Sequence, residues 1–159
     1  VQWLWNLRGQ GAGGILGDEM GLGKTVQVAA YLQARAQAGE LSPQTDGPAL
    51  ILCPATMLAH WLRELHTWAP LVRVVVLHKT AVAYHNTSSP SRFIGRWVDS
   101  GDSGVSSSVA VVTTYESIRR EPLRNRLLEA TWGAAILDEG QRIRNHDAEI
   151  SKLCKQLRT

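Results

Sequence analysis

The chain has 159 residues, 44% of them hydrophobic and 19% charged, the balance of a domain that buries a sizeable core and not of a disordered segment. Its 17 basic and 14 acidic side chains leave a net charge of +3; no apolar run nears the length of about eighteen residues that spans a bilayer, and the N-terminus lacks the basic and apolar regions of a signal peptide, so an intracellular setting with no membrane partner is expected. The two cysteines, Cys53 in an apolar run and Cys154 far along the chain, read as reduced thiols and exclude a disulfide framework or a zinc site.

In chain order, residues 13–17 read as a short strand, and residues 25–38, rich in alanine and glutamine, as a helix stopped at Gly39. Residues 40–48, with Ser42-Pro43 and Asp46-Gly47-Pro48, read as a flexible loop, and 49–53 as a buried strand. A helix begins around Pro54 and Thr56. Its apolar residues Leu58, Trp61, Leu62, Leu65 and Trp68 recur at helical spacing, and it ends before Pro70. Trp61 and Trp68 are assigned to the core, and Trp3 and Trp5 to packing. Residues 73–77 form the next strand, and the Ser-, Gly- and Asp-rich stretch 86–108 a flexible connector around a short helix at 92–98. Strands at 109–113 and 134–138 follow, separated by a basic, helical stretch. Short apolar strands alternating with helices predict a three-layer α/β domain with a mainly parallel sheet and its ligands at the carboxyl ends of the strands.

The run Asp18-Glu19-Met20-Gly21-Leu22-Gly23-Lys24-Thr25 carries the chemistry. Glycines at 21 and 23 admit backbone conformations in which successive N–H groups converge on phosphate oxygens, with Leu22 between them. Lys24 supplies a point charge for the β- and γ-phosphates, Thr25 a hydroxyl for Mg²⁺, and the following helix its N-terminal dipole. ATP with Mg²⁺ is the expected ligand. The generic phosphate-loop pattern has glycine where this chain has Asp18.

Ala134-Ala135-Ile136-Leu137 leads into Asp138-Glu139, 114 residues after Lys24. An aspartate at a strand tip can hold the Mg²⁺ shell opposite Thr25, and the next carboxylate can orient and deprotonate the attacking water. Lys24, Asp138 and Glu139 are therefore the catalytic candidates, with Thr25 and Asp138 on the metal. Charge is uneven along the chain: residues 119–159 carry nine basic and six acidic side chains, against eight of each before them. That excess fits a phosphate-backbone surface and fits a solvated helix face of mixed charge equally well.

Taken together, Asp18 to Thr25, Ile51-Leu-Cys-Pro-Ala-Thr56, Thr113-Thr-Tyr115 and Asp138-Glu-Gly-Gln-Arg-Ile-Arg-Asn145 resemble, in order, the first RecA-like lobe of Swi/Snf-type helicase-related ATPases. Within that family the segments around Trp3-Leu-Trp5, His66-Thr-Trp68 and 154–159 look most like the Cockayne syndrome group B (CSB) and Rad26-like repair translocases. Asp18 is what that family carries at its position. The resemblance covers nearly the whole chain apart from 40–48 and 86–108.

It implies a nuclear, DNA-dependent ATPase that moves on double-stranded DNA, with nucleosomes or RNA polymerase II as further partners. It also implies that Pro54, Ala55, Thr56, Thr113, Thr114 and Tyr115 face one DNA strand and grip phosphates without reading bases. Pro-Ala-Thr could equally cap a helix, and Thr-Thr-Tyr end a strand. Gln141 stands where the family usually has a histidine that communicates with the neighbouring lobe; glutamine can hydrogen-bond there but cannot carry a proton. A non-catalytic lobe used as a DNA- or protein-binding scaffold is the alternative, whereas a phosphate-loop kinase or GTPase would leave the 54–56 and 113–115 segments without a purpose.

The resemblance further implies a second lobe, absent from residues 1–159, whose arginines stabilise transition-state charge and whose loss costs about 10³ to 10⁵ in rate. Purified 1–159 is therefore expected to bind nucleotide weakly and hydrolyse it little. DNA-stimulated turnover by this polypeptide, lost in Lys24→Ala, would contradict that expectation.

Overall fold

The computed structural model describes residues 1–19, 21–42, 44–78 and 108–159. Helices α1 (Gln2–Gly9) and α2 (Lys24–Gln37) precede β1 (Ala49–Cys53), and a 3-10 turn (Ala55–Met57) runs into α3 (Leu58–Trp68) and then β2 (Arg73–Leu77). From residue 108 onward come β3 (Val109–Thr114), α4 (Leu123–Glu129), β4 (Ala134–Leu137), a second 3-10 turn (Gly140–Ile143) and α5 (Glu149–Cys154). The four strands pair in the order β2-β3-β1-β4, every pair parallel.

β1 is buried along its whole length, and its period-two alternation feeds two cores. Ala49, Ile51 and Cys53 meet α2 and α3 through Leu32, Trp61 and Leu65; Leu50 and Leu52 meet the other face, with Leu127 of α4 and Leu153 of α5. The expected three-layer α/β arrangement is what forms. Because Leu52 pairs with both Thr113 and Leu137, strands β1, β3 and β4 end level with one another. The loops that leave them share one rim.

Four expectations are corrected. Residues 13–17 form no strand: three of the five are glycines, which bring nothing to bury, and Ile15 is 91% exposed. This stretch instead runs beneath α1, where a Cβ on Gly14 would meet Leu7 Cδ1 at 2.4 Å and Trp3 Cη2 at 2.8 Å. Trp68 is not core. The buried line of α3 steps through Trp61, Leu65 and Ala69, which turns Trp68 (49% exposed) to the flank, its indole donating to Glu64 Oε2 at 3.1 Å. Trp3, at 45% exposed, is likewise a surface residue, while Trp5 sits edge-on to Tyr31 at 6.4 Å. The connector at 86–107 and its helix at 92–98 lie outside the described residues.

The fourth concerns residues 40–42 and 44–48, which are held and not loose. Arg35, buried on α2, donates through Nε to Glu40 Oε2 (2.7 Å) and through Nη1 to the Gly133 carbonyl (2.7 Å), and pairs with Asp46. Asp46 Oδ1 in turn accepts the Leu41 N–H at 2.8 Å. Gly47, at φ +84°, passes so close to the chain before β4 that a Cβ would lie 2.4 Å from the Thr131 carbonyl oxygen. One guanidinium thus joins α2, the loop and the entry to β4.

Burial opposes the charge on Arg35, but its hydrogen bond to Glu40 and the charges around it raise its pKa above the ordinary value. Burial likewise opposes ionisation of Asp46, yet the Leu41 N–H, the Arg35 charge and the Thr45 hydroxyl outweigh it and hold the carboxyl below its ordinary value. A depressed carboxylate contributes stability that is present above its unfolded pKa and lost as pH falls through the folded one. Arg35→Met is expected to lower unfolding free energy by about 3 kcal/mol, the low end for breaking a buried pair because Glu40 and Asp46, unlike Arg35, keep some contact with water. The same substitution should flatten the loss of stability on acidification, read by urea titration at pH 7 and below pH 4; an unchanged midpoint and pH profile would refute it.

Candidate active site

Gly21 (φ +88°) and Gly23 (φ +72°) both take the left-handed backbone that other residues enter only at a cost. No atom lies within 4 Å of a Cβ built on Gly21, so conformation and not crowding calls for glycine there. Gly23 caps α2, and Lys24 and Thr25 open its first turn. Lys24 Nζ donates to the carbonyls of Asp18 (2.6 Å) and Glu19 (2.9 Å), so the loop wraps its own lysine. Asp18 also has a partner: its Oδ2 accepts from Gln27 Nε2 at 3.1 Å, and the same amide reaches the Leu22 carbonyl at 3.3 Å. The carboxylate at the position where glycine is generic therefore braces the loop against α2.

These residues fit a polyphosphate. An ammonium resting on two neutral carbonyls gains by exchanging them for an anion, and the free N–H groups of a 14-residue helix begin beside it.

At the end of β4, Asp138 is delivered with its orientation fixed. The Asp138 N–H donates to the Leu52 carbonyl (2.9 Å), extending β4's pairing with β1, and the Asp138 carbonyl accepts the Tyr115 hydroxyl at 2.6 Å. Its Oδ2 accepts the Trp61 indole N–H at 2.8 Å, and its Oδ1 the Glu139 N–H at 3.0 Å. Glu139 follows in left-handed backbone (φ +53°), a conformation that glutamate adopts only where the surroundings enforce it. Gln141 Nε2 donates to Glu139 Oε2 across the 3-10 turn. The residue assigned to communication with another lobe thus touches the candidate base directly. Among the described residues no group of three or more His, Cys, Asp and Glu gathers as a metal cluster.

The 54–56 and 113–115 segments divide. Ala55 and Thr56 are exposed at the rim, ahead of α3, whereas Pro54 is buried. No side chain caps either the 3-10 turn or α3, so Thr56 is not there as a cap. Thr113, Thr114 and Tyr115 are all buried, and their hydroxyls are used inside the fold: Thr113 donates to the Leu77 carbonyl (2.6 Å), Thr114 pairs with Ser117 (3.0 Å), and Tyr115 holds Asp138. The expectation that these three side chains face DNA is corrected accordingly; they brace the rim from below. Burial pushes the Tyr115 phenol well above its ordinary pKa, with the nearby Cys154 thiol and Asp138 adding to it, so it remains a donor. Burial also drives the Cys53 and Cys154 thiols up, to about 12 and about 11, and both are unpaired, as the sequence indicated.

Two contributors were not singled out from sequence. Trp61 was read only as core; its signal was that a buried indole needs an acceptor for its N–H. Gln27 lies one turn beyond Lys24, a spacing that returns it to the loop.

A family model described as the SNF2-related domain matches residues 1–159. The chain is 41% identical over its whole length to the DNA excision repair protein CSB of Oryza sativa subsp. japonica, covering 15% of that protein. It is 38% identical to the DNA excision repair protein ERCC-6 of Homo sapiens and 37% to the DNA repair and recombination protein RAD26 of Saccharomyces cerevisiae, in each case over all of this chain and over 10% and 17% of the relative. Its fold superposes on the Sulfolobus solfataricus SWI2/SNF2 ATPase core in complex with dsDNA with a TM-score of 0.73 and 29% identity, covering 99% of this chain and 28% of that one. The chain spans at most about a sixth of the three curated relatives it matches here.

Tyr115→Phe removes one hydroxyl and leaves the Asp138 carbonyl without that donor. A loss of about 1 to 2 kcal/mol is expected in urea unfolding; unchanged stability would show that the hydroxyl does not brace the rim.

Proposed function

The chain belongs to the SNF2-related domain family, and from that premise we propose that it is the nucleotide-binding lobe of a DNA-dependent ATPase acting on double-stranded DNA. The observation that carries this reading is Asp138: a carboxylate fixed at the rim where three parallel strands end, in a fold that also holds an exposed glycine-lysine loop at the start of α2.

In this reading Gly21, Leu22 and Gly23 wrap the phosphates with backbone N–H groups, and Lys24 leaves the Asp18 and Glu19 carbonyls to meet them. Thr25 and Asp138 would hold Mg²⁺, a cation that needs few protein oxygens. Bound Mg²⁺ neutralises charge developing on the phosphates. Glu139 orients and deprotonates water, and the Gln141 amide fixes which way its carboxylate turns. Gln141 itself carries no titrating proton.

On the DNA side, Ala55 and Thr56 offer backbone N–H groups and a hydroxyl to one strand's phosphates. Pro54, Thr113, Thr114 and Tyr115 set the height of that contact from inside. Contacts of this kind position a duplex without reading its sequence. The relatives are named for excision repair and for chromatin remodelling. That kinship supports a nuclear setting, with nucleosomes or RNA polymerase II as the larger partners.

In the intact protein, Lys24→Ala is expected to abolish Mg²⁺–ATP binding. Glu139→Gln should keep binding and lose about 10² to 10⁴ in DNA-stimulated turnover, the usual contribution of a general base. DNA binding with no turnover in the unsubstituted protein would favour the scaffold reading instead.

A further inference from the structure

One buried contact joins a core residue to the carboxylate at the end of β4. Trp61 is 2% exposed, and its indole N–H ends on a carboxylate oxygen of Asp138 at 2.8 Å. The buried Trp132 provides a comparison: its N–H ends on the backbone carbonyl of Leu127 at 2.9 Å. Burial alone is satisfied by such a carbonyl. A partly buried carboxylate, whose other oxygen already takes the Glu139 N–H at 3.0 Å, is not needed to satisfy an indole. With the Asp138 backbone tied to Leu52 and Tyr115, the indole removes the side chain's remaining freedom to turn.

We propose that Trp61 is a positioning residue for Asp138, holding its carboxylate turned so that the lone pairs left open can take a divalent cation beside bound nucleotide. The inference rests on the ATP-binding reading above and adds a residue to it. It also gives the exposed Ala55–Thr56 segment a mechanical route to the metal side, since the 3-10 turn and α3 form one continuous helical stretch from Ala55 to Trp61. An outer-shell partner of this kind is commonly worth about 10- to 100-fold in metal affinity.

The test is a Mg²⁺ titration of the intact protein with a non-hydrolysable ATP analogue, comparing Trp61→Phe, which keeps an aromatic ring in the core but lacks the N–H donor. The half-saturating Mg²⁺ concentration is expected to rise about tenfold, with metal-free nucleotide binding unchanged and no further rise when Trp61→Phe is added to Asp138→Ala. An unchanged Mg²⁺ requirement, or an equal loss of metal-free and metal-dependent binding, overturns the proposal. If Trp61→Phe does not fold, the unsubstituted protein decides by NMR. The Trp61 indole N–H resonance should move when Mg²⁺ is added to the nucleotide complex while that of Trp132 stays; a Trp61 resonance that does not move overturns the proposal. Absence of any Mg²⁺-dependent binding in the unsubstituted protein would overturn the ATP reading itself, and this inference with it.

Discussion

The position of Asp138 is the constraint on which the rest of the site depends. Its N–H continues the ladder to β1, its carbonyl is pinned by a buried tyrosine from the end of β3, and its carboxylate is gripped from α3. Two further strands of the sheet and one flanking helix therefore meet at one residue. A sheet with staggered strand ends could not do this; the level register of Leu52 with Thr113 and Leu137 brings the donors within reach. The side-chain entropy that a free surface aspartate keeps is already lost at Asp138 in folding.

The two halves of the site differ in how they are held. The acidic half is built on strand ends and buried hydroxyls, while the phosphate loop is exposed and closed on itself through the Lys24 ammonium, with Gln27 and Asp18 as a brace. Neutral carbonyls are weaker partners for an ammonium than a polyphosphate, so this closure is easily exchanged. The arrangement pairs a rigid carboxylate with an adaptable cradle. Farther away, Arg35 does for the entry to β4 what Tyr115 does for its exit, fixing the chain at Gly133 before the strand begins.

Much of this was legible in the sequence, and the failures have physical causes. Alternation and apolar runs located four strands, because buried parallel strands are continuous hydrophobic stretches. Residues 13–17 misled because a glycine-rich run before a phosphate loop looks like a strand by position, while its composition gives a sheet nothing to pack. Trp68 misled because helical spacing defines a stripe but not its edge. The family resemblance places Thr113, Thr114 and Tyr115 against DNA but does not report which side chains are buried. Only the tertiary structure shows that each hydroxyl has an internal partner. The same limit hid the second role of Trp61, since spacing reports which side chain is buried and not where its one polar atom ends.

A crystal structure of the protein with Mg²⁺ and a non-hydrolysable ATP analogue tests the central claim most directly. The account predicts Lys24 Nζ on phosphate oxygens and away from Asp18 and Glu19, with Asp138 facing the metal and still bonded to Trp61 and Tyr115. Nucleotide bound elsewhere, or an Asp138 that must release both partners to reach the metal, would contradict it.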